Sequence, residues 1–298
     1  TLAGYPTLAA TNIVKWPEKT ERLPALSRSL AKLGYQNSFY YGGESEFDNY
    51  KAFLLSHDVH NLVDRNAFKD GKVTSWGQFD EAVFSRQLQD INNEQQPFFS
   101  TVLTLTNHEP FAVPGTYKFG EADNVAKFKS TAFYTDSCIN AYLNAAKKQR
   151  WYKNTLFILV ADHGHIYPNN RGDVFVPERY HIPLLFYGDV IHKEFRGKRM
   201  NNIGSQADIP ATLLTQLGVN PSEYKWSKNL MNPNVKSFAF FSWDNGMGFI
   251  NNEQCVTFDN VGKMVLYNNK PNDKRLTEQT LIKAKSYLQT VYEHFLNL

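Results

Sequence analysis

Apolar positions recur along this chain with two different periods, and the switches between them mark its elements. Leu23, Leu26, Leu30 and Leu33 fall at helical spacing. Gly34 follows them, where a glycine in a left-handed conformation ends a helix. Residues 36–41 then read as a strand running into Gly42-Gly43. Phe79, Val83, Phe84, Leu88 and Ile91 outline a second amphipathic helix, and residues 97–105 a buried strand. A long helix over about 125–150 precedes a strand at 156–160, and another strand covers 181–187. Ser205 is placed to cap a helix carrying Ile209, Leu213, Leu214 and Leu217, closed by Gly218. Strands alternating with helices predict an α/β fold whose central sheet is mostly parallel and covered by helices on both faces.

From about residue 236 the pattern changes. Residues 238–243, 249–250, 255–258 and 264–267 are short strand candidates separated by Asn and Gly, which predicts a small antiparallel sheet. A last helix over 277–296 turns Ile282, Leu288, Val291, Tyr292 and Phe295 inward. The expected organisation is an α/β core over 1–235 and a C-terminal subdomain over 236–298 packed on that core.

Composition narrows the function more than the fold. A chain of 298 residues, 42% hydrophobic and 20% charged, has the make-up of a globular protein. A net charge of +3 without a Lys/Arg-rich run argues against a nucleic-acid partner. No run reaches the roughly 18 apolar residues of a membrane span, and no signal peptide is visible. Cys138 and Cys255 match no metal spacing and read as small buried hydrophobes. His57, His60, His192 and His294 read as surface residues, and Asp208 as a carboxylate in the first turn of a helix.

The chemistry is concentrated where two strands end. In open α/β sheets ligands bind beyond the carboxyl ends of the strands. The 97–105 strand runs out into Asn107-His108-Glu109-Pro110-Phe111, and the 156–160 strand into Asp162-His163-Gly164-His165. Parallel strands would bring His108, Asp162, His163 and His165 to one edge. A carboxylate beside a neutral imidazole suits Zn2+ or Mn2+. The competing reading of the same residues is an Asp that caps the next helix, with histidines hydrogen-bonded in a loop.

Several segments resemble one known family. "FILVADHGH" resembles the second metal-binding motif of the alkaline phosphatase/sulfatase superfamily. "PFFSTVLTLTNHEPF" is similar to its lipoteichoic acid synthase-like phosphoglycerol transferase branch, as are "SFYYGGESEFDN" and "SWGQFDEAVF". "SQADIPATLLTQLG" resembles a further superfamily segment, and the likeness covers about residues 1–250. The resemblance implies Asp162 and His163 as metal ligands. It implies His108, with Asn107 and Arg179, as the substrate-binding set, and His165 and His181 as catalytic or substrate-facing histidines. Mn2+ or Zn2+ is the implied metal, with Mg2+ or Ca2+ as alternatives. Where branch members place His, Trp or Arg after the glycine turn, this chain has Glu44, Ser45, Glu46 and Phe47, so the head group it would accept is open.

The resemblance also implies a metal-bound nucleophile, Thr or Ser in transferases and formylglycine in sulfatases, together with a further carboxylate ligand. Both are expected upstream of "TLAGYP", which would make the chain an N-terminally truncated fragment, inactive alone; Thr1, Thr7 and Thr11 fall on the wrong side of the match. The expected activity is metal-dependent phosphoryl transfer or hydrolysis on phosphoglycerol-type or related lipid or glycan phosphodiesters. A sulfatase, a phosphodiesterase or a non-catalytic glycan or glycerol-phosphate binding module are the alternatives. Branch membership implies anchoring by upstream membrane helices and a catalytic domain on the extracytoplasmic face of a bacterial membrane.

Overall fold

Strand β1 (Gln36–Tyr41) is the most deeply buried strand of the α/β part, exposed only at its first residue. The computed structural model, which describes residues 1–69, 71–94, 97–169 and 172–298, builds the rest of that part around it. The helices before β1 are α1 (Pro17–Thr20) and α2 (Leu26–Ala31). After it come α3 (Tyr50–Ser56), β2 (Asn61–Val63), α4 (Asp80–Asn92), β3 (Phe98–Leu103), α5 (Asn124–Ala146), β4 (Phe157–Val160), β5 (Leu184–Tyr187) and α6 (Ile209–Gln216). The C-terminal part is β6 (Phe238–Trp243), β7 (Gly246–Asn251), β8 (Cys255–Asp259), β9 (Met264–Asn268) and α7 (Lys274–Asn297).

The first sheet has the order β2-β1-β3 and is parallel throughout. Its side chains alternate between two helical layers, as the two-residue period of a strand requires. Phe39 and Tyr41 pack with Leu54 of α3, while Tyr40 packs with Val83 of α4. Further along, α2 and α6 bury Leu26, Leu30, Ile209, Leu213 and Leu214 against Phe99 of β3 and Ile158 and Val160 of β4. The other face of β4 meets α5 through Phe157 and Tyr142, whose ring centroids are 6.4 Å apart. Helices therefore cover both faces, as the alternating pattern predicts.

The parallel pattern stops at β4, which pairs antiparallel with β5. A parallel return needs a crossover of a dozen or more residues, usually helical. Among the described residues of this connection the helical stretch is the single 3-10 turn Pro177–Tyr180, so the chain folds straight back instead. The two sheets are also separate: among the described residues β3 pairs only with β1, and β4 only with β5. Phe98 and Phe157, at the starts of β3 and β4, both touch Trp151, at 5.6 and 6.4 Å, which bounds their separation at about 12 Å. Both strands are only half-buried along their whole length, unlike β1.

The tail is the expected antiparallel sheet, ordered β6-β7-β8-β9, with Asp244-Asn245 as its first hairpin turn. Helix α7, started by the Asp273 side chain accepting from Leu276 N, packs Ala284 under Phe240, Phe249 and Phe258. Ile282 is not inward but 58% exposed, and Leu281 takes its place against the sheet. Val291 and Phe295 pack with Leu8 near the start of the chain, which ties the two parts together. Both cysteines are free and buried, and burial pushes their thiols up, to about 11 for Cys138 and about 12 for Cys255. His57 is not a surface residue: it is fully buried, with its ring nitrogens on the carbonyls of Phe53 and Leu23 at 2.7 and 3.2 Å. His294 is half-buried rather than exposed, beside Tyr5 and Trp226.

Candidate active site

The end of β3 is fixed by a buried carboxylate. Asp80, the first residue of α4, is 1% exposed and its Oδ1 accepts from Leu105 N and Thr106 N at 2.7 and 3.2 Å. Its Oδ2 accepts from Thr135 Oγ1 of α5 at 2.6 Å, and its own N–H donates to Thr106 Oγ1 at 3.0 Å. The positive end of the α4 dipole favours a charge at this position. One residue thus locks β3, α4 and α5 together just before the functional loop begins. Asn107 continues the lock, accepting from Thr131 Oγ1 at 2.6 Å.

His108 follows, exposed, with Nδ1 donating to the Glu109 carbonyl at 3.0 Å, so the neutral ring presents a bare Nε2. Its ring lies 4.4 Å from Trp76, and Trp76 Nε1 donates to the Glu109 carbonyl at 2.7 Å. The Trp76 loop reaches this position because two glycines meet: a Cβ on Gly77 (φ +149°) would lie 2.0 Å from the Gly42 carbonyl oxygen. The Glu109–Pro110 peptide is cis, and Phe111, at φ +58° and 1% exposed, turns back to donate its N–H to His108 O at 2.8 Å.

The end of β4 is built differently. Gln206 Nε2 donates to the carbonyls of Ala161 and Asp162, at 2.6 and 2.7 Å. Gly164 lets the following turn press against the Pro177–Tyr180 helix, because a Cβ there would lie 1.9 Å from Arg179 O. Asp162 Oδ1 accepts from His163 N at 2.9 Å, and Oδ2 lies 3.6 Å from His163 Nε2. His163 Nδ1 donates to Gly164 O at 2.8 Å, which leaves the Nε2 lone pair free. Both side chains are about 70% exposed.

His165 stands between the two strand ends. It stacks on Phe128 of α5 at 5.0 Å and 18°, and meets Phe111 and Tyr167 at 5.8 and 5.2 Å. Its Nδ1 accepts from Tyr167 N at 3.1 Å, so the neutral ring carries its proton on Nε2. Burial holds its pKa below the ordinary histidine value; the charges of Glu109, His163, Arg179 and His108 all act on it as well, Glu109 in the opposite sense. His165, after β4, meets Phe111, after β3, so the loops that leave the two strands lie against each other. On the far side, burial and then the charges of Asp48 and Asp162 push the Tyr50 phenol up. Rings run from Tyr50 through Phe47 and Trp76 to His108, at 6.4, 6.2 and 4.4 Å.

The rim formed by the loops at the two strand ends carries His108 and exposed Asn107 on one side and Asp162, His163 and His165 on the other, and Gly164 packs against half-buried Arg179. His181 is exposed, and among the described residues it stacks on none of the rings around His165. Asp208 serves the fold: it is 1% exposed, closes a capping box with Ser205 and binds Lys228 Nζ at 2.5 Å. Among the described residues no group of three or more His, Cys, Asp and Glu side chains could hold a metal ion. Asp162 and His163 fit a cation as a two-donor half-site, one carboxylate oxygen and one imidazole nitrogen on a single turn. Phe128, Thr131, Gln206, Tyr50 and Asp80 were not singled out in the sequence. Phe128 and Thr131 carry a signal there, being three residues apart on one face of a helix.

A family model described as sulfatase matches residues 1–219. The chain belongs to the sulfatase family. Within that family it is 22% identical over 273 residues to the lipoteichoic acid synthase-like YvgJ of Bacillus subtilis, covering 85% of this chain and 43% of YvgJ. It is 27% identical over 200 residues to phosphoglycerol transferase I of Xanthomonas axonopodis pv. citri, covering 63% of this chain and 28% of that protein. The lipoteichoic acid synthase LtaP of Listeria monocytogenes superposes with a TM-score of 0.75 at 14% identity, over 99% of this chain and 82% of LtaP, which shows the shared fold. The chain spans less than half the length of these curated relatives.

Proposed function

We propose that this rim transfers a phosphoglycerol-type group from a lipid or glycan phosphodiester to an alcohol or water, through a covalent ester on a protein hydroxyl. The observation that carries the reading is the contact of His165, just after Asp162 and His163 at the end of β4, with Phe111, just after His108 at the end of β3. The relatives named lipoteichoic acid synthase and phosphoglycerol transferase support the substrate class. They also support an extracytoplasmic location on a bacterial membrane. Among the described residues no helix is long and apolar enough to cross one.

The reaction needs a nucleophile oxygen to bond to phosphorus while the bond to the leaving oxygen breaks. A divalent cation on Asp162 and His163, Mn2+ or Zn2+ by the chemistry of the donors, would acidify that hydroxyl and polarise the phosphoryl oxygens. His108 accepts a glycerol hydroxyl on its bare Nε2, or donates to a phosphoryl oxygen once protonated. Arg179 adds a fixed positive charge where negative charge builds on oxygen. His165 holds a proton on Nε2 facing the leaving oxygen, and His181 assists from the solvent side. In the second step the acceptor oxygen attacks phosphorus and frees the protein hydroxyl.

The nucleophile and a further carboxylate are assigned to a segment upstream of Thr1. Two features support this. Thr7 bonds Ser242 of β6 and Thr11 bonds Trp16, so both hydroxyls are engaged elsewhere. Among the described residues β3 and β4 do not pair with each other, and both are half-buried along their whole length, as strands that lack a neighbour would be. The test is calorimetric titration of residues 1–298 with Mn2+ and Zn2+, beside a phosphodiester turnover assay. Weak metal binding that disappears in Asp162→Ala and His163→Ala, with little or no turnover, is the expected result. Metal binding indifferent to both substitutions would overturn the site. Robust turnover abolished by Asp162→Ala would overturn the upstream nucleophile.

A further inference from the structure

The C-terminal sheet meets the connection between β4 and β5. Phe240 of β6 packs with Ala284 of α7. Side chains alternate along a strand, so Phe241 and Trp243 share the opposite face. Each lies over the glycine paired with it in β7: a Cβ on Gly248 would fall 2.0 Å from Phe241 Cζ, and one on Gly246 would fall 2.1 Å from Trp243 Cζ2. The bare backbone lets both rings lie down against the strand. Phe241 is 9% exposed, and Tyr180 stacks on it at 4.2 Å and 25°.

Tyr180 ends the Pro177–Tyr180 turn, the one that Gly164 presses on. A Cβ on Gly164 would lie 1.9 Å from Arg179 O and 3.7 Å from Tyr180 N, so Gly164 rests on the Arg179–Tyr180 peptide itself. Tyr180 Oη donates to Val174 O at 2.7 Å, and Val176 N and Arg179 N donate to Asp173 O and Val176 O at 3.0 and 3.2 Å. These bonds fold residues 173–180 into one compact piece, and the Phe241 stack ties that piece to the sheet. Asp162 and His163 have little packing of their own, since their side chains are 68% and 70% exposed. Their backbone is gripped by Gln206 on one flank and abuts the Arg179–Tyr180 peptide through Gly164 on the other.

We propose that Phe241 is a positioning residue for the Asp162–His163 turn: stacked on Tyr180, it holds the Arg179–Tyr180 peptide against Gly164, so the C-terminal sheet sets the place of both donors. That these donors take a cation rests on the function proposed above; the bracing itself does not. The test compares adjacent residues of β6. Phe241→Leu removes the ring that faces Tyr180, whereas Phe240→Leu makes the same change on the α7 face and controls for lost stability. The first readout is the NMR order parameters of the His163 and Gly164 amides in metal-free residues 1–298. They should fall in Phe241→Leu from about 0.85, the rigid value, toward about 0.6, and hold in Phe240→Leu. Tyr180→Leu, at a half-buried loop position, should repeat the fall, and Tyr180→Phe, which keeps the ring, should hold the parent values. The second readout is calorimetric Mn2+ affinity, weakened about five-fold in Phe241→Leu and Tyr180→Leu and within about two-fold of the parent in the other two. Parent order parameters already near about 0.6, no fall in Phe241→Leu and Tyr180→Leu, or an equal fall in Phe240→Leu would each overturn the proposal. A parent chain that binds no Mn2+ would overturn the metal reading alone, because the order parameters are measured without the ion.

Discussion

Replacing Gly164 by alanine tests how the Asp162–His163 turn is held. The added methyl would lie 1.9 Å from Arg179 O and 2.9 Å from Arg179 C, where contacts under 3.0 Å are essentially never made. The turn and the Pro177–Tyr180 helix must therefore part by about 1.1 Å. The turn cannot retreat freely, because Gln206 grips the carbonyls on its other flank at 2.6 and 2.7 Å. Overpacking of this kind costs about 1–3 kcal/mol, and each amide bond given up about 1 kcal/mol more. We expect a loss of about 2–3 kcal/mol by urea denaturation, with weaker Mn2+ binding by about ten-fold, since a misplacement of about 1 Å at a site is costly. Gln206→Ala should lower Mn2+ affinity in the same direction with a smaller stability loss. A Gly164→Ala protein with an unchanged urea midpoint and Mn2+ affinity within two-fold of the parent would refute the close approach and the reasoning built on it.

Two further outcomes follow from groups outside the rim. Asp80→Ala strands two backbone N–H groups and the Thr135 hydroxyl in a buried place. It should cost about 3 kcal/mol or more on a urea curve, and a loss under about 1 kcal/mol would contradict the lock at the end of β3. His294 is held below its ordinary pKa, by burial first and by Lys225 second. The unfolded chain takes up that proton first, near pH 6.5, so the His294 contribution is complete above about that pH and is lost as pH falls below it. The melting temperature should be lower at pH 5.5 than at 7.5, and His294→Gln should remove part of the drop; an identical drop in the variant would contradict it.

Much of the fold can be read from local pattern. The strand at 36–41 is found at those bounds, because every residue after the first is buried and the two following glycines end it. The Ser205 cap and the Asp244-Asn245 turn are likewise set by short-range chemistry. What local pattern cannot carry is partner choice. The antiparallel return of β5 depends on what connects it to β4, and the identity of the strand beside β3 depends on tertiary pairing. Burial of single residues is equally non-local: His57 is buried against the distant Leu23 carbonyl as well as the nearby Phe53 carbonyl, and Ile282 is exposed because α7 turns Leu281 to the sheet. At the rim the residues proposed to bear the chemistry were legible as motifs at strand ends. The contacts that hold them, made by Asp80, Gln206 and Phe128, join residues far apart in the chain and are not set by local pattern.

The half-buried edges of β3 and β4 have a consequence for handling the chain. Each edge displays a row of backbone donors and acceptors beside apolar side chains, the arrangement that templates self-association between sheets. Residues 1–298 in isolation should thus clump as concentration rises, through cross-chain pairing at these two edges. An extended peptide of alternating β-branched residues, added in excess, would compete for the same hydrogen bonds and keep the chain dispersed.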